Sequence, residues 1–569
     1  MSEQATPPNE AQQAAPKQRS ANALNYIVLG LLVVCVLIAS VKLFGSTVSG
    51  KFASANGGVY SHVTFGEDTY DSGDHYADYP ARAPSDDRID ESALEVDGVS
   101  RRGEVYETNP ENQFIHARVQ STSTFSIDVD NASYTLSRRD LENGALPVPA
   151  AVRPEEFINY FDYGYPDPRG AEPFSINLEV APSRFGEGKH LLRVGLQGDR
   201  KSLEELAPTN IVLLVDVSGS MQSERKLPLV IESVEALVES LRPRDTISIV
   251  TYAGRDRVLL EPTRVKKRRV IERALDHLAH SGNGGSTNAE AGIVTAYRLA
   301  EEGFKPKGNN RVIIMTDGDF NVGKTGQQLF ELVDRYRAQG INLTCMGYGL
   351  GDYQDYHMEN LAKNGNGNYF YVDSIEEAER VFGTDLVSTL EVIAADVKIQ
   401  VSFDPTQVKR YRLVGYENRV MDNQDFRDDT KDAGEIGPGH TVTAFYELEL
   451  SSGTSLDSSL AQVRLRYKPR QGASSEELVR EIPRANIHEA FSAASAGFQF
   501  GAAVAEFAEL LRRSDHIERA DIDAVINTAA RHAGDDPARV ELVELARGAR
   551  ELWLSRLEPA PDERAGAIY

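Results

Sequence analysis

The chain has 569 residues and 41% hydrophobic content, enough for about three or four domains with buried cores. It carries 86 acidic against 61 basic residues, a formal net charge of −25, so phosphate is repelled and non-specific nucleic-acid binding is disfavoured. Only two cysteines occur, Cys35 in an apolar segment and Cys345 in an expected buried strand, which leaves no disulfide framework and no cysteine-based metal site.

Residues 1–23 are rich in Ala, Gln and Pro and read as a disordered tail. Leu24–Phe44 (LNYIVLGLLVVCVLIASVKLF) holds one charge, Lys42, near its end. About 20 apolar residues cross a bilayer, so a transmembrane helix is expected there. Ala53-Ser54-Ala55 resembles a signal-peptidase site but lies far beyond the apolar core, which favours an uncleaved anchor. Leu32, Val33 and Val34 do not suit a lipoprotein signal at Cys35. Lys17 and Arg19 before the span nearly balance Lys42 and Lys51 after it. The strongly acidic continuation favours a single-pass span with the short N-terminus in the cytoplasm and the large C-terminal part outside it. Residues 45–122 are polar, acidic and without apolar periodicity, and read as a disordered linker or stalk.

Order is expected from about Thr124. Residues 123–205 form a flanking segment: FSIDVD is a strand, Asn131 caps a helix that ends at Gly144, EEFINYFDY follows Pro154 as a short helix, and FSINLEVAPS and HLLRVGLQGD form a strand pair. In residues 206–392 strands alternate with helices. IVLLVDV, TISIVTYA, RVIIMTD, INLTCMGYG and NYFYVDS are separated by amphipathic stretches such as LPLVIESVEALVESL and AEAGIVTAYRLAEEG, which predicts an α/β fold with a mostly parallel sheet covered on both faces. Residues 393–485 return to alternating strands, 486–557 read as a helical unit, and 558–569 as a tail. Strands before and after the α/β unit predict a β-sandwich into which that unit is inserted.

The chemistry concentrates in five oxygen-bearing residues. Asp216, Ser218 and Ser220 follow an apolar strand in IVLLVDVSGSM, Thr287 lies in GNGGSTN, and Asp317 ends the strand RVIIMTD. Ligands of open α/β sheets bind beyond the strand C-termini, so Asp216 and Asp317 converge on one edge. Carboxylates and hydroxyls are the donors that hard divalent cations prefer. The D-x-S-x-S run, the distant threonine and T-D-G resemble the metal-ion-dependent adhesion site of von Willebrand factor type A domains. The resemblance implies a Rossmann-like doubly wound sheet and hydroxyl ligation by Ser218, Ser220 and Thr287. It implies binding by Asp216 and Asp317 directly or through water, Mg²⁺ or Mn²⁺ as the ion, and a protein partner whose Asp or Glu carboxylate completes the shell. STFSIDVDNASY, RPEEFINYFDYGYP, YRLVGYENR and DAGEIGPGHTVTAFYE further resemble a bacterial exported or membrane-attached family. In that family the A domain lies between an N-terminal conserved segment and a C-terminal domain of unknown function.

Other patterns compete with this reading. Gly318–Thr325 (GDFNVGKT) fits the P-loop expression of nucleotide hydrolases, but Asp317 and Asp319 put negative charge where a triphosphate would sit. Asp128 and Asp130 form a D-x-D pair, read as a strand-end turn because an aspartyl-phosphate or EF-hand context is missing. Ser218 is in no G-x-S-x-G elbow. The basic run RVKKRR (264–269) reads as a solvated helix face, and His440 as the close of a turn before a strand. The expected function is therefore metal-dependent protein binding or adhesion without bond making or breaking, with no nucleic acid as partner. An envelope-assembly scaffold is the alternative and a P-loop-like NTPase a weaker one.

Overall fold

The computed structural model describes residues 100–557 apart from 102–103, 107–108, 128–129, 171, 224, 282–288, 319–325, 350–354, 432, 453–456, 471 and 518–520. The tail, the Leu24–Phe44 segment, Cys35, Asp128, Thr287 and most of Gly318–Thr325 lie outside the described residues. Among the described residues no helix is long and apolar enough to cross a membrane.

The α/β unit is built on six strands: β1 (Thr209–Asp216), β2 (Thr246–Tyr252), β3 (Asp256–Arg264), β4 (Asn309–Thr316), β5 (Ile341–Tyr348) and β6 (Tyr369–Val372). Their spatial order is 3-2-1-4-5-6, the doubly wound order. Every pairing is parallel except β2 with β3. All eight residues of β1 and all seven of β2 are buried, which is why both read as uninterrupted apolar runs. The helices are α1 (Leu227–Ser240), α2 (Arg268–Ala279), α3 (Ala289–Glu302), α4 (Gly326–Arg337) and α5 (Asp355–Asn364). In α2 the residues Ile271, Ala274, Leu275 and Leu278 form one helical stripe and are the ones it buries. α1 and α2 pack with Leu213, Ile249 and Met315 on one face of the sheet. α3, α4 and α5 pack with Leu214, Val250 and Ile314 on the other. Each fully buried Leu, Ile or Val stabilises by about 1.5–3 kcal/mol.

A second body draws strands from both flanks of this unit. One sheet runs Ile115–His116, Val408–Val414, Thr441–Leu450, Lys189–Gly198, Phe174–Pro182. The other runs Val420–Met421, Thr122–Ser126, Ala394–Phe403, Ser459–Lys468, Glu476–Pro483. Their facing residues, among them Phe125, Leu192, Val194, Ile399, Tyr446 and Val463, share one core. The α/β unit is thus inserted into a β-sandwich. Helices Ala496–Leu511, Ile522–Ala533 and Pro537–Leu557 form the C-terminal unit. Phe498 and Phe500 dock it edge-on against Phe445 and Phe161.

Several local expectations need correction. β3 was not expected, because charges and Pro262 break its pattern; it is an edge strand, where a proline costs no ladder bond to a second neighbour. Asn131 occupies the N-cap position of Ala132–Glu142 but its side chain makes no cap bond. Glu156 takes that role from outside, accepting from the Ser133 N–H at 2.8 Å. Only the last two residues of RVKKRR lie on the expected helix: Arg264 ends β3, a turn follows, and α2 begins at Arg268. Part of the stretch read as linker belongs to the fold, since Tyr106 is buried in the α/β core and Ile115–His116 pairs with Val408–Val414.

Candidate metal centre

β1 and β4 are neighbours, and their chains leave in opposite directions, to β2 and to β5. This is the switch point where a crevice opens at a doubly wound sheet. Asp216 ends β1 fully buried, and Asp317 follows the last residue of β4 at 7% exposure. The loop after β1 folds back on Asp216, with the Ser218 N–H donating to Asp216 Oδ1 at 2.8 Å. Ser218 Oγ and Ser220 Oγ lie 3.0 Å apart, with Ser218 buried and Ser220 exposed. Met221, fully buried, anchors the turn, and its N–H donates to the Ser218 carbonyl at 3.1 Å. From β4, Thr316 Oγ1 donates to Asp216 Oδ2 at 3.1 Å and accepts from the Gly318 N–H at 3.2 Å. Gly318 has φ +86°, a left-handed turn that glycine makes without strain.

Four of the five expected residues, Asp216, Ser218, Ser220 and Asp317, therefore meet at one edge. Thr287 falls outside the described residues. Burial raises the Asp216 carboxyl above its ordinary pKa, and the charge of Asp317 adds to the rise; hydrogen bonds from Ser218 oppose it. A cation at this edge relieves both effects. Lys226 already places one there, its Nζ 2.8 Å from Asp317 Oδ2 with both side chains largely buried. The lysine stem lies on Gly349, where a Cβ would come within 2.4 Å of Lys226 Cε. Lys226 gave no signal in the sequence, because its role depends on chain folding rather than on spacing. Thr316 was visible as the first residue of T-D-G.

The donors are two carboxylates and two hydroxyls, all oxygen, beside an ammonium that a metal can replace. That set fits a hard divalent cation. Among the described residues no group of three or more His, Cys, Asp or Glu could hold a metal, so this mixed site is the candidate.

A doubly wound sheet with this loop at its switch point defines a von Willebrand factor type A domain, and the family model of that description matches residues 210–384. A model described as von Willebrand factor matches residues 100–193, and one described as Uncharacterized protein YfbK, C-terminal, matches 388–552. The chain is 36% identical over 482 residues to Uncharacterized protein YfbK of Escherichia coli (strain K12), covering 79% of this chain and 82% of that protein. It belongs to the YfbK family. It is also 24% identical over 147 residues to Inter alpha-trypsin inhibitor, heavy chain 4, of Mus musculus, covering 25% of this chain and 16% of that protein. Among solved structures, a von Willebrand factor type A protein from Catenulispora acidiphila aligns with a TM-score of 0.40 at 16% identity, over 68% of this chain and 91% of that one.

Proposed function

We propose that the protein is a metal-dependent protein-binding module, held at a bacterial membrane by Leu24–Phe44 and displayed on its outer side. The observation that carries the reading is the convergence of Asp216, Ser218, Ser220 and Asp317 at the sheet's switch point. With Thr287 these residues would hold Mg²⁺ or Mn²⁺. The bound ion supplies a positive charge with a coordination position open to an Asp or Glu carboxylate of a protein partner. The chain's own part is to orient the ligands. Ser218 N–H and Thr316 Oγ1 fix the two Asp216 oxygens, and Met221 holds the serine loop against the strand end. No bond is made or broken. The test is calorimetric titration of Mg²⁺ into metal-free protein, followed by capture of envelope proteins in Mg²⁺ or in excess chelator. Asp216→Ala is expected to lose both, while retaining its fold by circular dichroism.

An envelope-assembly scaffold using the same metal is favoured by a second observation. Arg138 ties the A domain to the helical unit, donating to Asp373 at 2.8 Å, Glu377 at 3.0 Å and Glu541 at 3.1 Å. An A domain fixed to its neighbours presents its metal edge in one direction. On this reading Mg²⁺-dependent capture yields envelope-assembly components, and on the adhesion reading it yields surface ligands of other cells.

A further inference from the structure

A cavity of about 220 Å³ lies at the seam between the A domain and the sandwich, at the edge of the sheet opposite the metal centre. Arg311, near the start of β4 and 3% exposed, lines it. A buried guanidinium is ordinarily matched by a carboxylate. Arg311 is not: Nη1 donates to the neutral Thr344 hydroxyl at 2.6 Å, and Nε has no hydrogen-bond partner. The acids around the cavity each have another partner, although the charge of Glu435 also acts on Arg311. Asp130 accepts from the Tyr369 N–H and pairs with Arg419, Glu391 pairs with Lys201, and Glu435 accepts from Asn366 Nδ2. Burial without a matching anion pulls Arg311 down to about 10, with Glu435 only partly opposing this.

The glycine-rich segment Gly434–His440 lines the cavity as well. Those glycines are needed because the chain threads a gap with no room for a side chain. A Cβ on Gly437 would meet the Ser388 carbonyl at 1.7 Å, and one on Gly434 the Ile127 carbonyl at 2.6 Å. This path brings His440 to the cavity. Its Nδ1 accepts from the Gly437 N–H at 3.2 Å, which fixes the tautomer with hydrogen on Nε2. Burial, reinforced by the Arg311 charge, lowers His440 to about 4, so the ring is neutral and its Nε2–H is a donor. A neutral donor and an unmatched guanidinium thus line one small space.

We propose that this cavity binds a small oxyanion, a carboxylate or phosphate group, on the Arg311 guanidinium and the His440 Nε2–H. The volume holds roughly seven waters at about 30 Å³ each.

The test uses the full chain made metal-free by chelator followed by dialysis, so that an anion has no metal to bind. Inorganic phosphate and acetate are titrated separately, against chloride at matched ionic strength, and followed by calorimetry and by Tm. Saturable binding of either anion is expected, and the anion that binds identifies the group. Arg311→Gln is expected to weaken it by about tenfold or more, the scale of a charged hydrogen bond. Should that variant not fold, His440→Leu and Arg311→Lys carry the test, each expected to bind more weakly. Failure of both anions to bind wild type above chloride would overturn the proposal, as would unchanged binding in folded variants.

Discussion

Replacing Lys226 by methionine should tighten metal binding. The ammonium occupies Asp317 Oδ2 at 2.8 Å, with side-chain exposures of 12% for Lys226 and 4% for Asp317. A cation entering among Asp216, Ser218, Ser220 and Asp317 must displace it. A hydrogen bond between charged groups contributes about 1.5–3 kcal/mol, and rehydration of the released ammonium returns part of that. About 1–2 kcal/mol then remains as the cost of entry, a factor of about 5 to 30 in Kd. Methionine suits the test because it keeps an unbranched stem over Gly349 while removing the charge. Calorimetric titration of Mg²⁺ into metal-free wild type and Lys226→Met measures the factor directly. A variant that binds Mg²⁺ no more tightly than wild type would refute competition by Lys226.

Three further outcomes are expected. Arg412 is fully buried, with Nη2 2.7 Å from Glu447 Oε2 and 3.1 Å from Glu509 Oε2; Arg412→Met leaves Glu447 with Lys189 at 3.7 Å and Glu509 with Arg512 at 2.5 Å, so the loss is that of charged hydrogen bonds, about 1.5–3 kcal/mol in denaturant unfolding. Arg138→Ala removes the tie between Asp373, Glu377 and Glu541, and should make A-domain melting separate from that of the helical unit in scanning calorimetry. Burial raises Glu506 to about 7 despite Arg184 beside it. A raised carboxyl favours the fold while it is protonated, so its contribution is complete below about pH 4.5 and is lost as pH rises through about 7. At about 1.4 kcal/mol per pKa unit the loss is about 3 kcal/mol. Glu506→Gln should therefore gain stability relative to wild type across that window, measured by denaturant unfolding.

The parts of this fold that were legible in the sequence are those where burial is uniform. β1, β2 and β4 are buried on both faces, so their apolar runs announce a covered parallel sheet, and Asp216 and Asp317 stand out as the residues that end such runs. β3 was not legible because an edge strand tolerates the charges and the proline that interrupt its alternation. The sandwich was legible as strands on both sides of the α/β unit, but its pairing was not. Thr122–Ser126 joins Ala394–Phe403 across a whole inserted domain, a register set by tertiary packing. At the site, donor types and spacing pointed to Asp216, Ser218, Ser220 and Asp317, which the fold brings to one edge. Lys226 and Arg311 were invisible for a common reason: each matters through what it faces or lacks in space. His440 was correctly placed before a strand, yet its neutral tautomer depends on the Gly437 N–H behind it.

The central claim is metal-dependent recognition through the β1–β4 edge. The most direct measurement is capture of envelope proteins by the immobilised protein in Mg²⁺, in excess chelator, and with Asp216→Ala in Mg²⁺. Proteins retained by wild type in Mg²⁺ and released in both other conditions, with the variant still folded, are the predicted result. Equal retention in excess chelator, or by a folded Asp216→Ala, would contradict it.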